Sequence, residues 1–442
     1  MRARLGIALG ALALAAPLDA GMVNVRCEAP FVFRDAAVNV VVMPYNDPTE
    51  PERPLSAAGA RLSYLLQVDT LFSIVKFGSV GAVQMAPGPA CKPSEVWAKL
   101  LGEKPGAQAT VRPGHGLVLV WGRLYEEGES IYVQSYARFV RQGQPETVTV
   151  RVGDKDFTGG ITTQAVAFPP AKLTLEDLGR LENEFARAAI VRPSPGEGPG
   201  IRFPVGDRDM LGYWVTRTQG EWMRIEAMGP GPSGWVPARM RLGEATLRDR
   251  LPELAFVEGL VGFLRLRQPA ALGPLPSDAA PLVEAALRRF EERTTGGRAD
   301  VAKGSDRELW GIVRLEGPRD QVDLHAAHRH FAEAARLLPQ SAAARNLEII
   351  SRVAAARGGD GSATGFSARA AADELTLALS LDPGNVSILR NLASLYRLFA
   401  GGMHPITIDP PAPRPTLDLP EAEVTRRLQA VDALLARRAP PP

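Results

Sequence analysis

Two stretches in the last third of the chain match each other at a fixed offset, and this restricts the fold more than any other feature. Ala327-x-x-x-Phe331-x-x-Ala334-x-x-x-x-Pro339 aligns with Ala371-x-x-x-Leu375-x-x-Ala378-x-x-x-x-Pro383. Each is followed by Arg-Asn-Leu, at Arg345-Asn346-Leu347 and at Arg390-Asn391-Leu392. The prolines lie 44 residues apart (339 to 383) and the arginines 45 (345 to 390), a slip of one residue in the turn. Positions i, i+4 and i+7 share one helix face, where alanines allow close approach and Phe331 and Leu375 fill the gap between helices. Pro339 and Pro383 end their helices because proline lacks the backbone donor that another turn needs. Such a pair cannot bury its apolar face alone, so neighbouring pairs are expected to stack.

The pattern is similar to the tetratricopeptide repeat, whose second helix reads A-x-x-x-F and closes on proline. The resemblance implies an all-α solenoid over 246–400 with a concave groove for a protein or peptide. It also implies that first helices face inward, which makes Asn346, Arg390 and Asn391 the candidate partner-binding residues. The family period is about 34 residues, and the surplus falls in the Gly-rich stretch 357–365 (RGGDGSATG). Upstream, 256–266 and 280–293 form another expected helical hairpin. Residues 401–442 read as a Pro-rich connector and a capping helix over 420–438.

Residues 22–165 alternate strand and helix signals and are expected to form an α/β domain with a mixed sheet. Residues 38–43 (VNVVVM) and 117–121 are apolar runs of the kind buried on both faces. Residues 57–75 and 93–101 read as helices, 131–140 as a strand after a turn at 126–129, and 147–152 (TVTVRV) as the domain's last strand. This order, with Leu117-Val118-Leu119-Val120-Trp121-Gly122-Arg123 ahead of a hairpin, loosely resembles the TolB N-terminal domain and the core of curli-secretion lipoproteins. A helix over 174–189 and the Pro/Gly-rich stretch 192–200 (RPSPGEGPG) make 166–200 a helix and linker.

Between 201 and 242 the strand signals become short. Gly220-Glu221-Trp222-Met223-Arg224-Ile225, a Gly/Pro loop and Gly234-Trp235-Val236-Pro237-Ala238 resemble the second half of a bacterial SH3 domain. The resemblance implies a small β-barrel. Its aromatic groove, offered by Tyr213, Trp222 and Trp235, would take an extended peptide or glycan, peptidoglycan included. The alternative is that the two tryptophans are simply core.

Arg2 and Arg4 precede an apolar run from Leu5 to Leu18 and a break at Asp19-Ala20-Gly21, the order of a secretory signal over 1–20. No later stretch is apolar enough to span a bilayer, so a periplasmic or secreted protein is expected. Cys27 and Cys91 are the only cysteines of the 442 residues. In an oxidising compartment they read as one disulfide, with two buried thiols as the alternative. The 51 basic and 49 acidic residues leave a formal charge of +2, which argues against a nucleic-acid partner.

The sequence carries no catalytic constellation. Pro113-Gly114-His115-Gly116 lacks the downstream cysteine that a caspase-like peptidase needs, and no Walker, dinucleotide or Gly-x-Ser-x-Gly loop occurs. His325, His328 and His330 cluster on one helix and read as a solvated face; the alternative is a weak metal site on His325 and His328, with Asp323 the one carboxylate near them. The expectation is a non-enzymatic exported scaffold without cofactor or metal. The second reading is an exported enzyme whose active site lies in the α/β domain.

Overall fold

The computed structural model describes residues 31–45, 56–85, 91–103, 108–143, 147–152, 154–161, 166–188, 190–196, 198–202, 212–228, 231–237, 250–268, 272, 275, 277–294, 300–316, 323–358, 367–400 and 419–438. The signal segment, Cys27, the Gly-rich stretch from 359 and the connector before 419 lie outside these residues. The chain has an N-terminal mixed sheet and a C-terminal run of helices.

Strand β1 (Val38–Val42) lies between β2 (Val80–Gln84) and β3 (Gly116–Glu127), parallel to both. Parallel neighbours need crossovers, supplied by α1 (Ala57–Ile74) and α2 (Pro93–Leu101). Both faces of β1 are covered, which explains its unbroken apolar run. Val38, Val40 and Val42 pack with α1, while Val41 joins Val96, Trp97 and Leu100 of α2. Ser56 caps α1 by accepting from the Gly59 N–H at 3.0 Å. β3 turns into β4 (Ser130–Arg141), forming a twelve-residue antiparallel ladder.

Two expected strand assignments differ in their partners. β5 (Thr147–Val152) pairs only with β6 (Lys155–Gly160) among the described residues, and this hairpin lies apart from the main sheet. The sheet ends instead on β7 (Val166–Ala167) and β8 (Ala171–Thr174), both beside β4. Helix α3 (Leu175–Ala188) follows, opened by a reciprocal cap between Thr174 and Asp177 and tied to α1 by the Arg61–Glu182 ion pair.

The Pro/Gly-rich stretch 192–200 is flanked by β9 (Ile190–Val191) and β10 (Ile201–Arg202), which pair with each other. β11 (Gly212–Gln219) then pairs antiparallel with β2 through Gly212 to Val83 and Tyr213 to Ala82. β12 (Trp222–Met228) and β13 (Gly234–Pro237) follow. The strands of the expected SH3-like module therefore extend the first sheet, which has nine strands among the described residues. The physical reason is that the outer edge of β2 carries backbone groups that need a partner, and this meander supplies it.

The helices begin with α4 (Glu253–Leu266), whose core residues are continuous with those of the sheet. Arg265 is fully buried and donates from Nε to Gly78 O at 3.0 Å; burial lowers its pKa to about 10. Gln268 donates to Ala37 O at 2.7 Å, and the buried Glu258 sits between Lys76 and Arg289. Helices α5 (Ala279–Arg293), α6 (Asp300–Glu316), α7 (Leu324–Leu337), α8 (Ala342–Gly358), α9 (Ala368–Leu381), α10 (Val386–Ala400) and α11 (Glu421–Arg438) follow, each packing on the next. The matched positions share one face: Ala327, Phe331 and Ala334, and Ala371, Leu375 and Ala378, are all fully buried. α11 covers the end with Val424 and Val431 inward and an Arg397–Asp432 pair at 2.6 Å.

Candidate functional site

The Arg-Asn-Leu triplets lie on α8 and α10. Ser341 caps α8 by accepting from the Ala344 N–H at 3.1 Å, and Asn385 caps α10 by accepting from the Ile388 N–H at 3.2 Å. Equivalent starts put Asn346 and Asn391 at equivalent depths. Both are buried, and Asn391 Nδ2 donates to Asn346 Oδ1 at 2.8 Å across a separation of 45 residues.

What the asparagines hold is the β5–β6 hairpin. Thr158 N–H donates to Asn391 Oδ1 at 2.7 Å, while Thr158 O accepts from Asn391 Nδ2 at 2.7 Å and from Asn346 Nδ2 at 3.0 Å. Ser394 Oγ, one turn further on, donates to Asp156 O at 3.2 Å. A carboxamide carries an acceptor and two donors, so it can satisfy the N–H and C=O that an edge strand turns outward. On the face toward the helices, Phe157, Val148 and Val152 are shut from solvent. Gly159 is needed for contact: a Cβ there would collide with Leu347 and stand 3.1 Å from Ile350 Cδ1. Arg267, just past α4, also donates to Thr147 O of the hairpin.

Among the expected site residues, Asn346 and Asn391 are thus brought together, but on the chain's own strand. Arg390 points away and is exposed. Tyr213 is fully buried in β11 and Trp235 is 7% exposed in β13, so neither lines an open groove. Trp222 is half-buried, with the Arg192 guanidinium 5.4 Å from its ring centroid. Cys91 is disulfide-bonded. Of the histidines, His328 Nδ1 lies 3.3 Å from Ser351 Oγ, and His330 stacks on Trp310 at 5.1 Å, so these two are packed between helices rather than solvated. Among the described residues no group of three or more His, Cys, Asp or Glu side chains could hold a metal ion.

No family model, curated protein or solved structure matches this chain.

Sequence reasoning missed one further constellation. Tyr45 OH donates to Ser135 Oγ at 3.1 Å, and Ser135 Oγ donates to Glu253 Oε1 at the start of α4. Burial pushes the Glu253 carboxyl up to about 7, and burial together with this carboxyl raises Tyr45. All three side chains are at most 1% exposed, so a substrate cannot reach the serine in this conformation. The arrangement joins the sheet to α4. Gly122 makes room for it, since a Cβ there would overlap the Tyr45 ring. Nothing in the local sequence around Ser135 or Glu253 marks it, because its members are 118 and 90 residues from one another along the chain.

Proposed function

We propose that this chain is an exported, non-catalytic scaffold of the cell envelope whose tetratricopeptide-like helical half holds protein segments in extended conformation. The observation that carries the reading is the asparagine pair on successive helical units. It contacts backbone N–H and C=O and ignores the side chain of Thr158, as a device for gripping a strand should. In this reading the segment with the SH3-like pattern contributes an envelope contact through Trp222, the candidate aromatic that keeps appreciable exposure. The signal-like first twenty residues support export. The second reading, an exported enzyme, would centre on Ser135 and Glu253, and their enclosure counts against it.

The test is capture on the mature protein from periplasmic extract, beside co-sedimentation with insoluble peptidoglycan. Specific recovery of a protein partner, weakened by changes on α8 and α10, supports the reading. Recovery no better than with an unrelated protein of the same charge ends it.

A further inference from the structure

We infer that the groove between α8 and α10 is a receptor site for an extended strand of the pattern aromatic-x-Gly, and that residues 155–160 are its resident ligand. This rests on the reading of the helical half as a holder of extended segments and names what the groove selects. Three features set the pattern. Phe157 is fully buried beneath the helices, so the first position takes a large apolar ring. At the second, only the backbone is read, by Asn346 and Asn391. At the third, a Cβ would meet Leu347 Cδ2 and stand 3.1 Å from Ile350 Cδ1, so glycine fits without moving these side chains and larger residues are disfavoured. The alternation is that of a strand, whose successive residues face opposite sides.

A site that specifies ring, backbone and glycine in register has the selectivity of a peptide-binding groove, and here the chain fills it in cis. A partner protein's extended strand of the same aromatic-x-Gly pattern is therefore excluded while β6 is seated. It binds once β6 leaves.

The experiment uses the full mature chain and a labelled synthetic peptide of residues 147–160 (TVTVRVGDKDFTGG). Gly159→Val in the protein crowds Leu347 and Ile350 and is expected to unseat the resident strand, with helical circular dichroism checking that the receptor helices remain folded. The variant is expected to bind the native peptide at least about tenfold more tightly than the unaltered protein does. Adding Asn346→Ala and Asn391→Ala, or placing the same valine in the peptide, should abolish binding. If the unaltered protein binds the peptide as tightly as the variant, β6 is not the resident ligand. If the variant keeps its helical circular dichroism and still ignores the peptide, the groove is not a receptor.

Should Gly159→Val fail to fold, hydrogen exchange on Asn391→Ala decides the matter. The Thr158 amide is expected to exchange at least about thirtyfold faster than in the unaltered chain, since Asn391→Ala removes both of that residue's hydrogen bonds to Thr158. An unchanged rate overturns the proposal. No outside partner enters this assay, so it can fail while capture from periplasmic extract succeeds, and the reverse.

Discussion

Glu253 opens α4 with its carboxyl in the core, against Ser135 and within the field of Tyr45. Its pKa is pushed up to about 7 from an ordinary 4.5 because burial penalises the charged form. Between these values the folded chain holds a proton that the unfolded chain has released, so stability falls as pH rises through this window. The full loss amounts to roughly 3 kcal/mol and is complete above about pH 7. Glu253→Gln should remove that dependence: urea midpoints taken from pH 4 to pH 8 should show the variant gaining on the parent as pH rises. A constant difference across the range would show that the carboxyl does not titrate there. Residues of this kind were illegible in the sequence, since a single glutamate after Pro252 carries no sign of its burial. Asn346 and Asn391 were legible because the repeat placed them at matched positions on inward helices. Their ligand was not, for Thr158 lies 188 and 233 residues away. Arg390 was misplaced by the same reasoning: the residue next to an inward asparagine is turned about 100° away around a helix of 3.6 residues per turn.

Among the elements, strands and helices were mostly readable where they stand, while strand partners were not. The runs 38–42 and 93–101 form β1 and α2 with nearly the expected bounds. Residues 147–152 form the expected strand, but its β-branched pattern says only that one face is buried, not which element buries it. The same holds for β11 to β13, whose GEWMRI and GWVP pattern is local and whose bond to β2 is not. The helix-bound hairpin gives the sharpest energetic prediction at this scale. Asn391→Ala leaves the Thr158 N–H without its acceptor and removes a donor from its C=O, which should cost about 2–4 kcal/mol in chemical denaturation. Asn391→Asp keeps the acceptor but sets a carboxylate oxygen against the Thr158 carbonyl, and it should be no milder. Values near zero for both would mean that the hairpin is not held through these groups.

Across the molecule, one apolar core runs from Val38 in the sheet through Phe256 and Leu260 of α4 to Phe331, Leu375 and Val431 in the helices. The sequence reads as separate parts because composition changes near 200 and again near 250, and composition reports solvation and backbone freedom, not contacts. The stretch 192–200 illustrates this: its prolines and glycines make a closed loop between paired strands rather than a spacer. With Arg265, Gln268 and the Glu258 pairs fastening α4 to the sheet, the sheet and helices are expected to melt together in one calorimetric transition. Two resolved transitions would show that the sheet and helices are independent. The hairpin under Asn346 and Asn391 also has a consequence in time. Synthesis runs from the N-terminus at about 5–20 residues per second, so Thr158 is made roughly 10–50 s before Asn391 exists. Through that interval Phe157 and its neighbouring valines lack their complete dock. Helices α8 and α10 must both be made and brought together before the strand they hold can be put away.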